Sequence, residues 1–138
     1  MYLEVVTHEP QAAARSTPLL FVHGAWHGAW CWTEYFLPYF AEQGYRSHAI
    51  DLRGHGKSEG ANRLRWTGIT HYVSDVGQTI DQLGESPVLI GHSMGGLVVQ
   101  KYLESDSKYQ QQSYWPPFRP LAPCARHSTL PCDILPLS

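Results

Sequence analysis

Ser93 stands in Gly91-His92-Ser93-Met94-Gly95-Gly96, directly after the apolar run Pro87-Val88-Leu89-Ile90. A serine hydroxyl attacks a carbonyl carbon when a base takes its proton and fixed hydrogen-bond donors hold the oxyanion that forms. The spacing supplies the presentation of such a serine: an apolar strand, a tight turn, then a helix, the form of a nucleophile elbow. At the apex of that turn the backbone is strained, so the residues two positions away on either side must be nearly free of side chain. Gly91 and Gly95 meet the requirement. Met94, Leu97, Val98 and Tyr102 recur at helical spacing, and the start of that helix would aim unpaired N–H groups at the serine. The Met94 N–H is the first oxyanion donor this implies. A bare G-x-S-x-G also arises in glycine-rich turns without catalytic meaning; the strand before it and the helix after it point here to the elbow.

The elements that must position this turn follow an alternating pattern. Tyr2 to Val6 reads as a short edge strand, and Leu19-Leu20-Phe21-Val22, bounded by Pro18 and Gly24, as a strand buried on both faces. Trp30 to Gln43 reads as helical up to Gly44, with Pro38 either kinking it or opening its second part. Tyr45 to Leu52 returns to strand; Ile69, Tyr72, Val73, Val76, Ile80 and Leu83 recur at helical spacing before Gly84; Pro87 to Ile90 is the next strand. Alternation of strand and helix predicts an α/β fold with a mostly parallel sheet, whose reactive groups gather beyond the carboxyl ends of the strands. Three loops qualify: His23 to Trp30, Asp51 to Gly60, and the elbow.

His23-Gly24-Ala25-Trp26-His27-Gly28-Ala29-Trp30-Cys31-Trp32, Asp51-Leu52-Arg53-Gly54-His55-Gly56-Lys57-Ser58 and the Ser93 segment resemble the three signature loops of the α/β-hydrolase superfamily. The first is similar to methylesterases and hydroxynitrile-lyase-like members, the second to monoglyceride lipases and lysophospholipases. The resemblance runs from about Leu19 to Glu104. It implies a serine hydrolase acting on small-molecule carboxylic esters, with Ser93 as nucleophile and the Ala25 N–H, after the His23-Gly24 pair, as second oxyanion donor beside Met94. It also implies a structural role for His23 and the N-terminal part of the hydrolase fold. His92 flanks the nucleophile and is expected beside the elbow or in the pocket; His55 is expected to brace its loop.

Other chemistries find less support. His23 and His27 have metal-like spacing, but the segment between them is a glycine-containing loop rather than a helix with a nearby Glu. Gly54-His55-Gly56-Lys57-Ser58 ends like a phosphate loop, yet the first glycine it needs falls on Asp51. No metal and no other cofactor are expected. A net charge of −2 gives no electrostatic case for nucleic acid or an anionic membrane, and Arg53, Lys57, Arg63 and Arg65 read as a solvated basic loop diluted by Asp51 and Glu59. Three cysteines without a Cys-x-x-Cys, no signal-like N-terminus and no long apolar segment lead to the expectation of a cytoplasmic protein. The aromatic stretch Trp26, Trp30, Trp32, Tyr35, Phe36, Tyr39 and Phe40 is expected to be mostly core.

At 138 residues and 43% hydrophobic, the chain is long enough for one packed domain. The composition nevertheless changes after Glu104. Residues 105–138 hold no glycine and six of the 10 prolines, at 116, 117, 120, 123, 131 and 136. That density opposes regular structure, so the expected organisation is a partial hydrolase domain over 1–104 and an irregular tail over 105–138. The family's acid and histidine follow the serine on later strands, and each such unit takes roughly 30 residues or more. His127 and Asp133 occur in reversed order within the tail. The C-terminal half of the fold is therefore expected to be missing and activity impaired. The alternative is a catalytically silent fragment, or a subunit completed by another chain.

Overall fold

The computed structural model describes residues 1–11 and 13–105. Four strands form one sheet in the order β1-β3-β2-β4: β1 is Val5–His8, β2 Leu19–Val22, β3 Ser47–Ile50 and β4 Val88–Gly91. The central strand β2 runs parallel to both β3 and β4, while β1 is antiparallel to β3. Val22 pairs with Ile50 on one side and with Gly91 on the other. The three parallel strands thus end level, and the loops that follow them emerge together.

Helices cover the sheet according to the period-2 alternation of β2. Leu20 and Val22 pack with Ile50, Leu52, Tyr72, Val76 and Val98, against α3 (Ile69–Leu83) and α4 (Met94–Ser105). Leu19 and Phe21 pack with Ala49, Trp32 and Leu37, on the side of α1 (Trp30–Thr33) and α2 (Phe36–Glu42). Each fully buried leucine or phenylalanine of these layers contributes about 1.5–3 kcal/mol. All four residues of β2 are buried, as its continuous apolar run predicts.

The single helix expected from Trp30 to Gln43 is divided between α1 and α2. Pro38 lies in the first turn of α2, where a missing N–H leaves no intrahelical bond unmade. The helix closes with the Tyr45 N–H donating to Phe40 O (2.9 Å) and the Gly44 N–H to Ala41 O (3.0 Å), a Schellman motif that needs the φ of +87° at Gly44. The first strand is shifted from its expected position because Tyr2–Glu4 bond the loop after β3: the Glu59 N–H donates to Tyr2 O at 3.2 Å and the Glu4 N–H to Ser58 Oγ at 2.8 Å.

The aromatic stretch departs most from expectation. Trp32 is buried, but Trp30, Phe36 and Tyr39 are exposed because helices of four and seven residues each bury one narrow face, and Trp26 and Tyr35 are exposed in the connecting segments. Strand β4 is an edge among the described residues, with Val88 half exposed. The segment expected to form an irregular tail, including His127 and Asp133, lies outside the described residues from 106 onward.

Candidate active site

The turn at Ser93 is built by contacts that tolerate no side chain. Strand β4 ends at Gly91, and the His92 N–H donates to Val22 O at 3.1 Å, holding the turn to the central strand. Ser93 then adopts φ +54°, a left-handed conformation that costs a non-glycine residue on the order of 1–2 kcal/mol. Its carbonyl accepts the Gly96 N–H (2.9 Å) and the Leu97 N–H (3.3 Å), so α4 starts directly from the serine. A Cβ on Gly91 would lie 2.5 Å from Gly95 O; one on Gly95 would lie 2.5 Å from His23 O and closer still to Val22 O. Gly24 faces the turn from the other side: a Cβ there would meet Ser93 Cβ and His92 Nδ1, both at 3.1 Å. The glycine loop after β2 therefore lies against the elbow.

Ala25 and Met94 line one cleft of about 390 Å³ together with Trp26, His55, Leu64, Arg65 and Tyr72. Met94 is the first residue of α4, and the first N–H groups of a helix have no intrahelical partner. Among the described residues neither the Ala25 nor the Met94 N–H is engaged in a hydrogen bond. Leu64 and Arg65 enter the cleft from a 3-10 helix, Ala61–Trp66. Trp26, with φ +62°, stands exposed in its wall.

The histidines divide by their hydrogen bonds. His23 is fully buried; its Nδ1–H donates to Gly24 O at 2.7 Å and its Nε2 accepts the Leu52 N–H at 3.0 Å. Both ring nitrogens are thus spent on tying the first loop to the second, and burial holds the pKa below its usual value of 6.5. His55 donates from Nδ1 to Arg53 O at 3.1 Å, and its ring lies 5.0 Å from that of His23. It braces the loop and also lines the cleft. His92 is exposed, with its ring edge-on to His27 and Trp32.

Two acidic residues organise the site, Asp51 at the start of the second signature loop and Asp75, to which no motif points. Asp51, read as a charge diluting a basic loop, is buried: Oδ1 accepts the Ala29 N–H at 2.6 Å and Oδ2 the Lys57 N–H at 2.8 Å. Asp75 on α3 is fully buried and pairs with Arg53, Nη2 to Oδ1 at 2.6 Å. Arg53 is therefore an internal anchor of the second loop rather than part of a solvated basic patch. Burial raises the pKa of Tyr72, beside this pair. Among the described residues no group of three or more His, Cys, Asp or Glu side chains is placed to hold a metal ion, and no helix is long and apolar enough to cross a membrane.

A three-layer α/β unit with a strained serine at the carboxyl end of a parallel strand and a glycine loop beside it is the architecture of α/β-type hydrolytic enzymes. The chain belongs to the alpha/beta hydrolase family, whose profile it matches over residues 19–133. It is 36% identical over 93 residues to a bifunctional esterase/perhydrolase of Acinetobacter calcoaceticus, covering 64% of this chain and 32% of that protein. It is 35% identical over 85 residues to methylesterase 3 of Arabidopsis thaliana, covering 60% and 32%. The solved structure of an esterase from Exiguobacterium antarcticum superposes with a TM-score of 0.63 at 32% identity, over 75% of this chain and 36% of that one. The chain thus spans about a third of the length of the curated relatives it matches.

Proposed function

We propose that this chain carries the nucleophile and oxyanion half of a serine hydrolase acting on carboxylic esters of small molecules. Ser93 Oγ adds to the ester carbonyl; the Ala25 and Met94 N–H groups hold the developing oxyanion; expulsion of the alcohol leaves an acyl-serine that water then hydrolyses. The observation that carries this reading is the left-handed Ser93 between glycines that no side chain could replace. The relatives named as esterases and methylesterases support an ester as substrate. An acid–histidine pair must activate Ser93 and protonate the leaving alcohol, and among the described residues no histidine is hydrogen-bonded to the Ser93 hydroxyl; both nitrogens of His23 are occupied elsewhere. The odd cysteine count supports a reducing, cytoplasmic setting.

A second reading, that another chain supplies the base, is favoured by the edge position of β4 and the exposure of Val88 and Leu97 on the elements flanking Ser93. Fluorophosphonate labelling of the purified chain tests the first reading, with Ser93→Ala as control. Labelling that the substitution abolishes supports an activated Ser93. Labelling unchanged in Ser93→Ala overturns the assignment, and labelling that appears only on addition of a second polypeptide selects the completed-subunit reading.

A further inference from the structure

The cleft that joins the two candidate oxyanion donors is mostly apolar, with Trp26, Leu64 and Met94 in its walls, yet one permanently charged side chain, Arg65, also lines it. Among the described residues Arg65, which is exposed, has no carboxylate partner, as is also true of Arg15, Lys57 and Arg63. Its guanidinium lies instead over the ring of Trp66, 5.1 Å from the centroid. A guanidinium held by a ring in this way keeps its N–H donors for a further partner. The 3-10 helix that carries Arg65 is closed by local bonds, the Arg63 N–H on Gly60 O at 2.9 Å and the Thr67 N–H on Leu64 O at 3.0 Å. Arg63, two residues earlier on the same helix, lines a separate cleft with Gly60, Thr67 and His71.

We propose that Arg65 is a specificity determinant for esters that carry a second, free carboxylate away from the bond to be cleaved, such as monoesters of dicarboxylic acids. The inference rests on the reading of this cleft as the ester site. The ester carbonyl sits at the Ala25 and Met94 N–H groups, the apolar walls cover the connecting carbons, and the distal carboxylate takes the planar N–H fork of Arg65, which matches it in geometry and charge. A neutral diester of the same length forgoes that last contact.

The test is binding of monomethyl adipate and of dimethyl adipate to the full chain, followed by amide and arginine side-chain NMR shifts. The expected result is that Arg65→Gln weakens the monoester about tenfold, as loss of one charge-assisted hydrogen-bonded contact does, and leaves the diester unchanged. Arg65→Lys restores part of the difference, and Arg63→Gln changes neither ligand. Equal weakening of both esters by Arg65→Gln, no weakening of either, or an equal loss in Arg63→Gln would overturn the proposal. Binding requires no turnover, so the two readings separate. Fluorophosphonate labelling of Ser93 together with monoester binding that does not depend on Arg65 tells against the carboxylate preference alone; Arg65-dependent binding without labelling supports that preference and tells against an activated Ser93.

Discussion

The carboxylate of Asp51 grips the backbone of Ala29, 22 residues earlier in the chain, at 2.6 Å. Its other oxygen takes the Lys57 N–H at 2.8 Å, and its own carbonyl accepts the Ser58 hydroxyl at 2.5 Å. One buried side chain therefore joins the loop that bears Ala25 to the loop that bears His55. Asp51→Asn keeps the shape but turns an N–H donor toward one of these backbone N–H groups. The expected loss is about 2 kcal/mol of stability, the cost of a buried donor left unsatisfied, read from urea denaturation. An unchanged midpoint would show that the two loops hold their positions without this carboxylate.

Gly95 is tied to the central strand by proximity rather than by a bond. A methyl group there would lie 2.5 Å from His23 O and closer still to Val22 O, and the backbone of Val22, in β2, cannot move without disturbing the core layers. Gly95→Ala is expected to cost more than about 4 kcal/mol, among the largest effects of a single methyl group. Leu97→Gln, on an exposed position two residues further along the same helix, is expected to change stability by about 0.5 kcal/mol or less. Thermal melts of the two variants compare them directly.

What was legible in the sequence had a local signature. Leu19–Val22 announced a buried strand by being apolar throughout, Ile69–Leu83 announced a helix by its period and by Gly84, and the elbow announced itself through Gly91 and Gly95, whose lack of side chains is itself the structural requirement. Asp51 opens the second signature loop, but its role as a tie between loops left no local mark, and neither did that of Asp75. Asp51 satisfies backbone amides on two loops, and Asp75 pairs with Arg53, 22 positions away, so the local sequence shows neither role. The aromatic residues between Trp26 and Phe40 misled for the opposite reason. Residue type suggested burial, but which of them are covered depends on how short helices face the sheet, and only Trp32 turns fully inward.

Arg53 and Asp75 form an ion pair in which the acid is wholly buried and the arginine side chain is 20% exposed. The Arg53 N–H also donates to Asp75 Oδ2 at 3.0 Å, so the carboxylate fixes backbone and side chain together. Arg53→Met leaves a buried carboxylate without its counter-charge and is expected to cost about 3 kcal/mol. The double variant Arg53→Met, Asp75→Leu removes the stranded charge and is expected to be more stable than the arginine variant alone. A double-mutant cycle measures this; additive losses would mean that the two side chains do not share their energy.

His23 makes stability depend on pH in a definite direction. Its Nε2 must be unprotonated to accept the Leu52 N–H, and its Nδ1–H is already committed to Gly24 O. Burial lowers the pKa in the folded chain, with His55 and His27 adding to the lowering and Gly24 O and Asp51 opposing it. His48, buried on β3 and paired with Thr7 Oγ1 of the neighbouring strand at 2.8 Å, is also lowered, first by burial and then by Arg46. A histidine whose folded pKa lies below its unfolded one binds its proton more readily when the chain unfolds. Stability is therefore fully present above about pH 6.5, the unfolded value, and falls as the pH drops toward the depressed folded values. Urea midpoints between pH 7.5 and 5 should decline, and His23→Gln, which loses this proton linkage, should show a shallower decline although it starts from a lower midpoint. The same slope in both proteins would assign the pH dependence to His48 or to other groups, and would separate the buried imidazole beside the Ala25 loop from any role in acid sensitivity.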